Sequence, residues 1–300
     1  MMKNVDIRKL STENRNVDTI DIDVLSTNEI CKIINNNDKT VALAVEKELD
    51  SIAKVIDMVV ESFQSGGRLI YVGAGTSGRI GLIDAVECRP TFSCDDEMVQ
   101  CVIAGGKDAF VRAKEGAEDD TNQAILDLKA IKLTPNDIVI GIAASGRTPY
   151  VISAIEYANS VGAKTASIAT VKNSLIGEIS NQKIEVDTKA EVITGSTRLK
   201  AGTAQKLVCN MISTTSMIKI GKVYSNLMVD VKATNEKLIK RAQSIVMEVT
   251  GCSEDVAIKK LEKYKNAKKA IVSIMCDVDN EKEIDKILEI NKGSLRKVIG

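Results

Sequence analysis

Twice in this chain an apolar run ends in a turn of small, hydroxyl-bearing residues. The first is Leu69-Ile70-Tyr71-Val72 followed by Gly73-Ala74-Gly75-Thr76-Ser77-Gly78. The second is Ile138-Val139-Ile140-Gly141-Ile142 followed by Ala143-Ala144-Ser145-Gly146-Arg147-Thr148-Pro149. Each reads as a buried parallel strand entering the N-terminus of a helix. Such a junction leaves backbone N–H groups unpaired at the positive end of a helix dipole. Glycine lets an anion approach the backbone, and Ser and Thr add donors without charge. The pattern suits a phosphate, and its repetition makes a phosphorylated small molecule the leading ligand.

The surrounding sequence supplies the rest of such a sheet. Strands are predicted at 69–72, 99–103, 138–142, 164–169 and 183–186, and helices at 78–86, 109–116, 121–130 and 149–160. Pro149 suits a first helical turn. This alternation predicts an α/β fold with a doubly wound parallel sheet flanked by helices. In such sheets ligands sit beyond the carboxyl ends of the strands, where both turns fall. Upstream, residues 1–25 read as irregular. Ser26-Thr27-Asn28-Glu29 is a capping box opening a helix to Ile34, Asn35-Asn36-Asn37-Asp38 reads as a break, and a second helix spans 40–64. Downstream, long helices are predicted at 200–220 and 231–249. The texture turns lysine-rich at Thr250, which suggests a small three-helix C-terminal subdomain over 250–300 after a larger domain over 1–249.

Composition closes several doors. Lys plus Arg and Asp plus Glu each number 41, so the chain is neutral, and aromatic residues make up 3 %. Nothing here steers it to nucleic acid or an anionic membrane. Met1–Asp6 lacks the apolar core of a signal peptide, and no run approaches the roughly 20 apolar residues of a membrane span. Seven scattered cysteines without a C-x-x-C pair read as reduced thiols in a cytoplasmic protein. The sequence contains no histidine. The usual proton shuttle and commonest metal ligand are therefore missing, and acid–base work falls to carboxyls or to Lys, Tyr or Cys.

The individual motifs admit bland readings as well. Gly73 to Gly78 has the spacing G-x-G-x-x-G, but a dinucleotide site wants an acid after the next strand, and here Ala104-Gly105-Gly106 follows. Ser145 to Pro149 alone is an ordinary helix cap; paired with the first turn it favours a ligand. Residues 194–200, Thr-Gly-Ser-Thr-Arg-Leu-Lys, form a third hydroxyl-rich loop entering a helix, equally an elaborate cap or an extra wall of a sugar site through Ser196. Glu87 and Glu118 are candidate acid–base groups, although most such acids are solvated, and Asp84, Asp119 and Asp120 compete with them. Cys88, Cys94 and Cys101 match no metal spacing and read as packing residues.

Taken together, these segments resemble the sugar isomerase (SIS) phosphosugar-binding fold, and within it the N-acetylmuramic acid 6-phosphate etherase family. The resemblance runs over Thr12-Glu13-Asn14-Arg15-Asn16, Gly73 to Pro90, Ile103-Ala104-Gly105-Gly106, Glu115 to Asp119, Gly141 to Tyr150, Val192 to Lys206, Asn226 to Leu238 and Thr250-Gly251-Cys252. It implies a cytoplasmic homodimer that converts N-acetylmuramic acid 6-phosphate and water to N-acetylglucosamine 6-phosphate and D-lactate, with no metal or organic cofactor. It assigns catalytic carboxyls to Glu87, in Asp-Ala-Val-Glu-Cys, and Glu118, in Glu-Gly-Ala-Glu-Asp. Phosphate contacts fall to Ser77 and Ser145 with Thr76 and Thr148 beside them. The family's Pro-Pro is Arg89-Pro90 here, a departure that bears on local loop geometry. The alternatives it leaves are a non-catalytic sugar-phosphate sensor, like the glucokinase regulatory protein, and a sugar-phosphate isomerase.

Overall fold

The computed structural model describes residues 11–231 and 236–300. The expectation for Met1–Asp6, the first part of the irregular segment and residues 232–235 of the expected 231–249 helix lie outside the described residues. The described chain packs as two compact units, residues 11–85 with 97–213 and residues 86–96 with 214–231 and 236–300.

The first unit is built on a five-stranded parallel sheet: β1 (Leu69–Gly73), β2 (Val99–Ile103), β3 (Ile138–Ile142), β4 (Lys164–Ala169) and β5 (Gln182–Glu185). Their spatial order is β2-β1-β3-β4-β5. The chain steps outward from β1 to β2, then crosses back to place β3 on the other side of β1. That reversal is a topological switch point, where such sheets open a crevice at the strands' carboxyl ends. Gly73 pairs with Ile142, so the two hydroxyl-rich turns leave the sheet side by side.

Helices cover both faces, as the strands' continuous apolar runs require. In chain order the helices up to this point are α1 (Thr27–Glu46), α2 (Leu49–Gln64), α3 (Gly75–Phe92), the short α4 (Asp108–Val111), α5 (Thr121–Ala130), α6 (Pro149–Val161), α7 (Leu175–Ile179) and α8 (Lys200–Lys219). Ile70, Val72 and Val139 pack into one core with Leu128 of α5 and Val151 and Ile155 of α6. Tyr71 and Ile142 point the other way, and a Cβ on Gly81 of α3 would come within 2.9 Å of Tyr71 and 3.2 Å of Ile142. Glycine there lets α3 lie against the sheet. At the amino ends of β1 and β3, Arg68 donates from Nε and Nη2 to Asp137 at 3.0 and 2.8 Å, and its backbone N–H donates to the same carboxylate at 2.8 Å.

Several local expectations are corrected. The capping box at Ser26 and Glu29 is present, but Asn35-Asn36-Asn37-Asp38 does not break the helix. Asn37 turns its amide back to Ile33 O at 3.1 Å and accepts from Asn16 at 2.9 Å, so a distant partner satisfies it within the helix. The break falls at Lys47-Glu48, where Glu48 is drawn into an ion pair with Lys172. The 109–116 helix is only one turn, α4, because Arg79 takes the Ala109 and Phe110 carbonyls and Arg112 is extended. Helix α3 begins three residues before the expected Gly78, and α7 was not foreseen.

The second unit holds α9 (Glu236–Thr250), α10 (Glu254–Tyr264), α11 (Ala267–Met275), α12 (Glu281–Ile290) and the single-turn α13 (Leu295–Ile299). Ile245, Val246, Leu261, Ile271, Val272 and Ile284 form its core. Lys268, 5 % exposed, donates to Asp230 at 2.6 Å and to Gly221 O at 2.8 Å. Where three helices were expected after residue 250, four occur, the last a single turn. No described helix is long and apolar enough to cross a membrane.

Candidate active site

Glycine makes the first turn tight. A Cβ on Gly73 would meet Gly78 N at 2.7 Å, and one on Gly78 would meet Gly73 O at 2.8 Å. Gly75, at φ +52° with open space above it, turns the chain into α3. The first-turn N–H groups of α3 lack intrahelical partners by construction and face the carboxyl edge of the sheet. Thr76 is half-buried, and Ser77 is buried with its hydroxyl donating to Gln205 Oε1 at 3.0 Å.

Gln205 belongs to α8, and with it the third hydroxyl-rich loop arrives at the first turn. A Cβ on Gly202 would lie 3.5 Å from Thr76 Cγ2 and 3.8 Å from Thr197 O. The helix start is fixed by Glu191, fully buried, whose carboxylate accepts from Lys200 N at 3.0 Å and Ala201 N at 2.9 Å. Ser196 sits half-buried in the preceding turn, with its N–H donating to Ile193 O at 3.0 Å.

At the second turn Thr148 occupies the N-cap of α6, yet its hydroxyl makes no capping bond. Ser145 and Thr148 are half-buried, and Gly146 has φ +65°. Among the described residues, the buried Nε of Arg147 has no hydrogen-bond partner. Ser145, Arg147 and Thr148 thus present donors beside the first turn, along the edge where β1 and β3 adjoin.

Glu118 stands in a short turn, Ala117–Asp119, entered through Gly116 at φ +76°. It lines a cavity of about 220 Å³ together with Gly75, Arg79, Lys114, Glu115 and Gly116. Lys114 donates to Gly105 O at 2.8 Å and Arg79 to the α4 carbonyls, so two cations stand at this cavity beside the carboxylates. Of the competing acids, Asp120 is spent capping α5 through Gln123 N at 2.9 Å. Asp84 is 5 % exposed and accepts from Asn210, Tyr71 and Ser213 at 2.6, 3.0 and 3.0 Å. Burial raises the Asp84 carboxyl above its ordinary value although the three donors oppose it. Glu87 lies far along α3, exposed, in the residues that belong to the second unit.

Sequence reasoning overlooked Gln205, Arg79 and Lys114. For Gln205 a signal existed: it is the polar member of a helical stripe with Ala201, Ala204, Val208 and Ile212, all buried. Arg79 and Lys114 act on carbonyls brought together only by the fold. None of the seven cysteines is in a disulfide.

Parallel order 2-1-3-4-5 with hydroxyl-rich turns at its switch point is the doubly wound architecture of a SIS-type fold. Comparisons agree: the SIS domain family model matches residues 121–214, the glucokinase regulatory protein N-terminal SIS domain matches residues 51–159, and the C-terminal lid domain of glucokinase regulatory protein matches residues 225–292. A solved protein of E. coli CFT073 superposes with a TM-score of 0.50 at 16 % identity, over 67 % of this chain and 97 % of that one. Proteins named N-acetylmuramic acid 6-phosphate etherase from Bacillus cereus (strain AH820) and Bacillus thuringiensis subsp. konkukian (strain 97-27) are each 55 % identical over 98 % of this chain and 100 % of their own length. The chain belongs to the N-acetylmuramic acid 6-phosphate etherase family.

Proposed function

We propose that this protein cleaves the D-lactyl ether of N-acetylmuramic acid 6-phosphate, releasing D-lactate and N-acetylglucosamine 6-phosphate in cell-wall amino-sugar recycling. The carrying observation is the pair of hydroxyl-rich turns on adjacent strands, within a chain aligned over nearly its whole length to proteins of that name. In this reading Thr76, Ser77, Ser145 and Thr148 hold the phosphate, with the α3 N-terminus adding N–H groups and dipole. Ser196 walls the sugar.

The open-chain aldehyde acidifies the C2 proton. A carboxylate removes it, the C3–O bond breaks, and a carboxylic acid protonates the departing lactate oxygen; water then adds at C3 of the unsaturated aldehyde. Two carboxyls suffice for these transfers in a chain without histidine. We assign the acid to Glu87 and the base to Glu118, on the family motifs that contain them. The reading has a cytoplasmic homodimer, with Glu118 or the 194–200 loop near the partner's site. An apolar groove of about 520 Å³ lined by Ile22, Ile30, Ile34, Val192, Ile193 and Leu199 supplies a surface for that association.

Lactate release and exchange of the C2 proton with deuterated solvent, measured side by side, test the assignment. Glu87→Gln should lose about 10²–10⁴ in lactate release and still exchange the C2 proton; Glu118→Gln should fail at the exchange. Lactate release by Glu87→Gln at the parent rate refutes the acid role. Neither a sugar-phosphate sensor nor an isomerase releases lactate, so its absence in the parent protein refutes the whole reading. Sedimentation of a fully active monomer refutes the dimer.

A further inference from the structure

The Ser77–Gln205 hydrogen bond poses a difficulty for phosphate binding. A phosphate dianion only accepts hydrogen bonds, so Ser77 must give it a proton. In this structure the Ser77 proton is already given to Gln205 Oε1, at 3.0 Å. The other end of the same carboxamide is in the opposite predicament. Gln205 is 1 % exposed, and its Nε2 is buried without a hydrogen-bond partner among the described residues. A buried N–H donor without an acceptor is rare and costly, more so than an unpaired carbonyl oxygen.

One orientation of the carboxamide resolves both. The two ends of a carboxamide are nearly equal in size, and a half-turn about its last torsion exchanges them. Nε2 then stands where Oε1 stood and donates to Ser77 Oγ. The Ser77 proton swings out toward the anion, and the bond it receives from Nε2 polarises it as a donor. The orphaned N–H is partnered, and a carbonyl oxygen takes its place. The setting supports such a relay. Gly202, one turn before Gln205 on α8, lies against Thr76, so the carboxamide is held at the first turn of an 18-residue helix.

We propose that Gln205 is a positioning residue for the phosphosugar, whose carboxamide, with Nε2 toward Ser77 Oγ, leaves the Ser77 proton to be given to phosphate. The proposal rests on the reading that the phosphate sits at the first turn, and the test separates the two. The probe is N-acetylglucosamine 6-phosphate, titrated calorimetrically into the full-length protein. The variants are Ser77→Ala, Gln205→Met, Gln205→Glu and the double variant Ser77→Ala/Gln205→Met.

Gln205→Met has similar length and no donor, and should weaken binding about tenfold, as for one hydrogen bond to a charged group. Gln205→Glu keeps the acceptor that Ser77 uses in this structure but cannot donate in return, and should weaken binding at least as much. The double variant should bind no more weakly than Ser77→Ala alone, because Gln205 acts only through Ser77. In uniformly ¹⁵N-labelled protein the Gln205 side-chain amide resonance should shift on ligand addition, and should not shift in Ser77→Ala.

Binding unaltered in Ser77→Ala refutes the phosphate reading itself. Weakened binding in Ser77→Ala with parent-like binding in Gln205→Met and Gln205→Glu overturns the relay. So do losses that add in the double variant, which would assign Gln205 a packing role. Should Gln205→Met fail to fold, Gln205→Glu retains the observed Ser77 bond, and parent-like affinity in it alone overturns the proposal.

Discussion

Gly146→Ala puts the second turn to a quantitative test. Gly146 holds φ +65°, and its Cβ would fall 2.3 Å from Ser174 Cβ and 3.2 Å from Ser174 Cα. Two costs follow. A side chain in the left-handed region costs roughly 1–2 kcal/mol, and forcing atoms into a filled space costs roughly 1–3 kcal/mol. Ser174 cannot retreat cheaply: it is fully buried, its N–H and hydroxyl donate to Glu185 Oε1 at 2.8 and 2.9 Å, and its Oγ accepts from Gly177 N at 3.1 Å. The turn must therefore move instead, carrying Ser145 and Thr148 with it. The expected loss is about 2–5 kcal/mol in urea unfolding, the sum of the two costs, with a raised KM for N-acetylmuramic acid 6-phosphate. Gly66→Ala is the control: φ is +75° but nothing lies within 4 Å, so only the backbone cost of about 1–2 kcal/mol applies. If Gly146→Ala costs no more than Gly66→Ala and leaves KM unchanged, the close packing at Ser174 does not hold the turn.

Other outcomes follow from buried charge. Asp137 would be raised by burial, but hydrogen bonds from Arg68 and Thr134 outweigh this and hold it below the ordinary carboxylate range. Its contribution is complete above the unfolded value of about 3.9 and lost as pH falls through the lower folded value. Asp137→Asn should therefore lose about 2–3 kcal/mol at pH 7 and show a flatter acid limb in chemical unfolding; an unchanged limb refutes the clamp. Asp84 has the opposite sign: burial raises it, so its contribution is complete below the unfolded value and lost as pH rises through the folded one. Asp84→Asn should abolish that decline, and a decline as steep as the parent's would show that another group causes it. In the second unit, Asp230→Ala leaves the Lys268 ammonium buried with only the Gly221 carbonyl, and should cost about 3–5 kcal/mol in thermal or chemical unfolding. A loss below that of an ordinary surface substitution would refute the pairing.

The sheet was legible because parallel strands buried on both faces are written as unbroken apolar runs, and β2, β3 and β4 carry the expected bounds. The turns were legible because their glycines are local necessities of a tight strand-to-helix junction: Gly75 and Gly146 hold positive φ, and a Cβ on Gly73 would meet Gly78 N at 2.7 Å. The failures share a cause: the deciding partner lies far away in sequence. Asn37 is helical because Asn16 reaches it, and the helix breaks at Glu48 beside an ion pair to Lys172. Helix α4 stops where Arg79 claims its carbonyls. Likewise Asp84 looked available as an acid until Tyr71, Asn210 and Ser213 were seen to occupy it. Gln205 reaches Ser77 only because α8 folds back against the first turn, 128 residues along the chain.

The Arg68–Asp137 clamp works as an index mark for the opposite end of the sheet. Each residue stands immediately before its strand, and the pair aligns Leu69 with Ile138 and hence Gly73 with Ile142. A slip of one residue would slide one turn past the other by about 3.3 Å and invert which side chains face each helix layer. The spacing of the two turns, which the proposed function gives to the phosphate, is therefore calibrated about 17 Å away, five residues of strand distant, by a pair at the other end of the sheet. The two turns are in this sense interchangeable jaws on a fixed gauge. Their hydroxyls can be exchanged while the gauge stays untouched, whereas Arg68→Lys, which replaces a two-pronged grip by a single ammonium, would loosen both jaws at once.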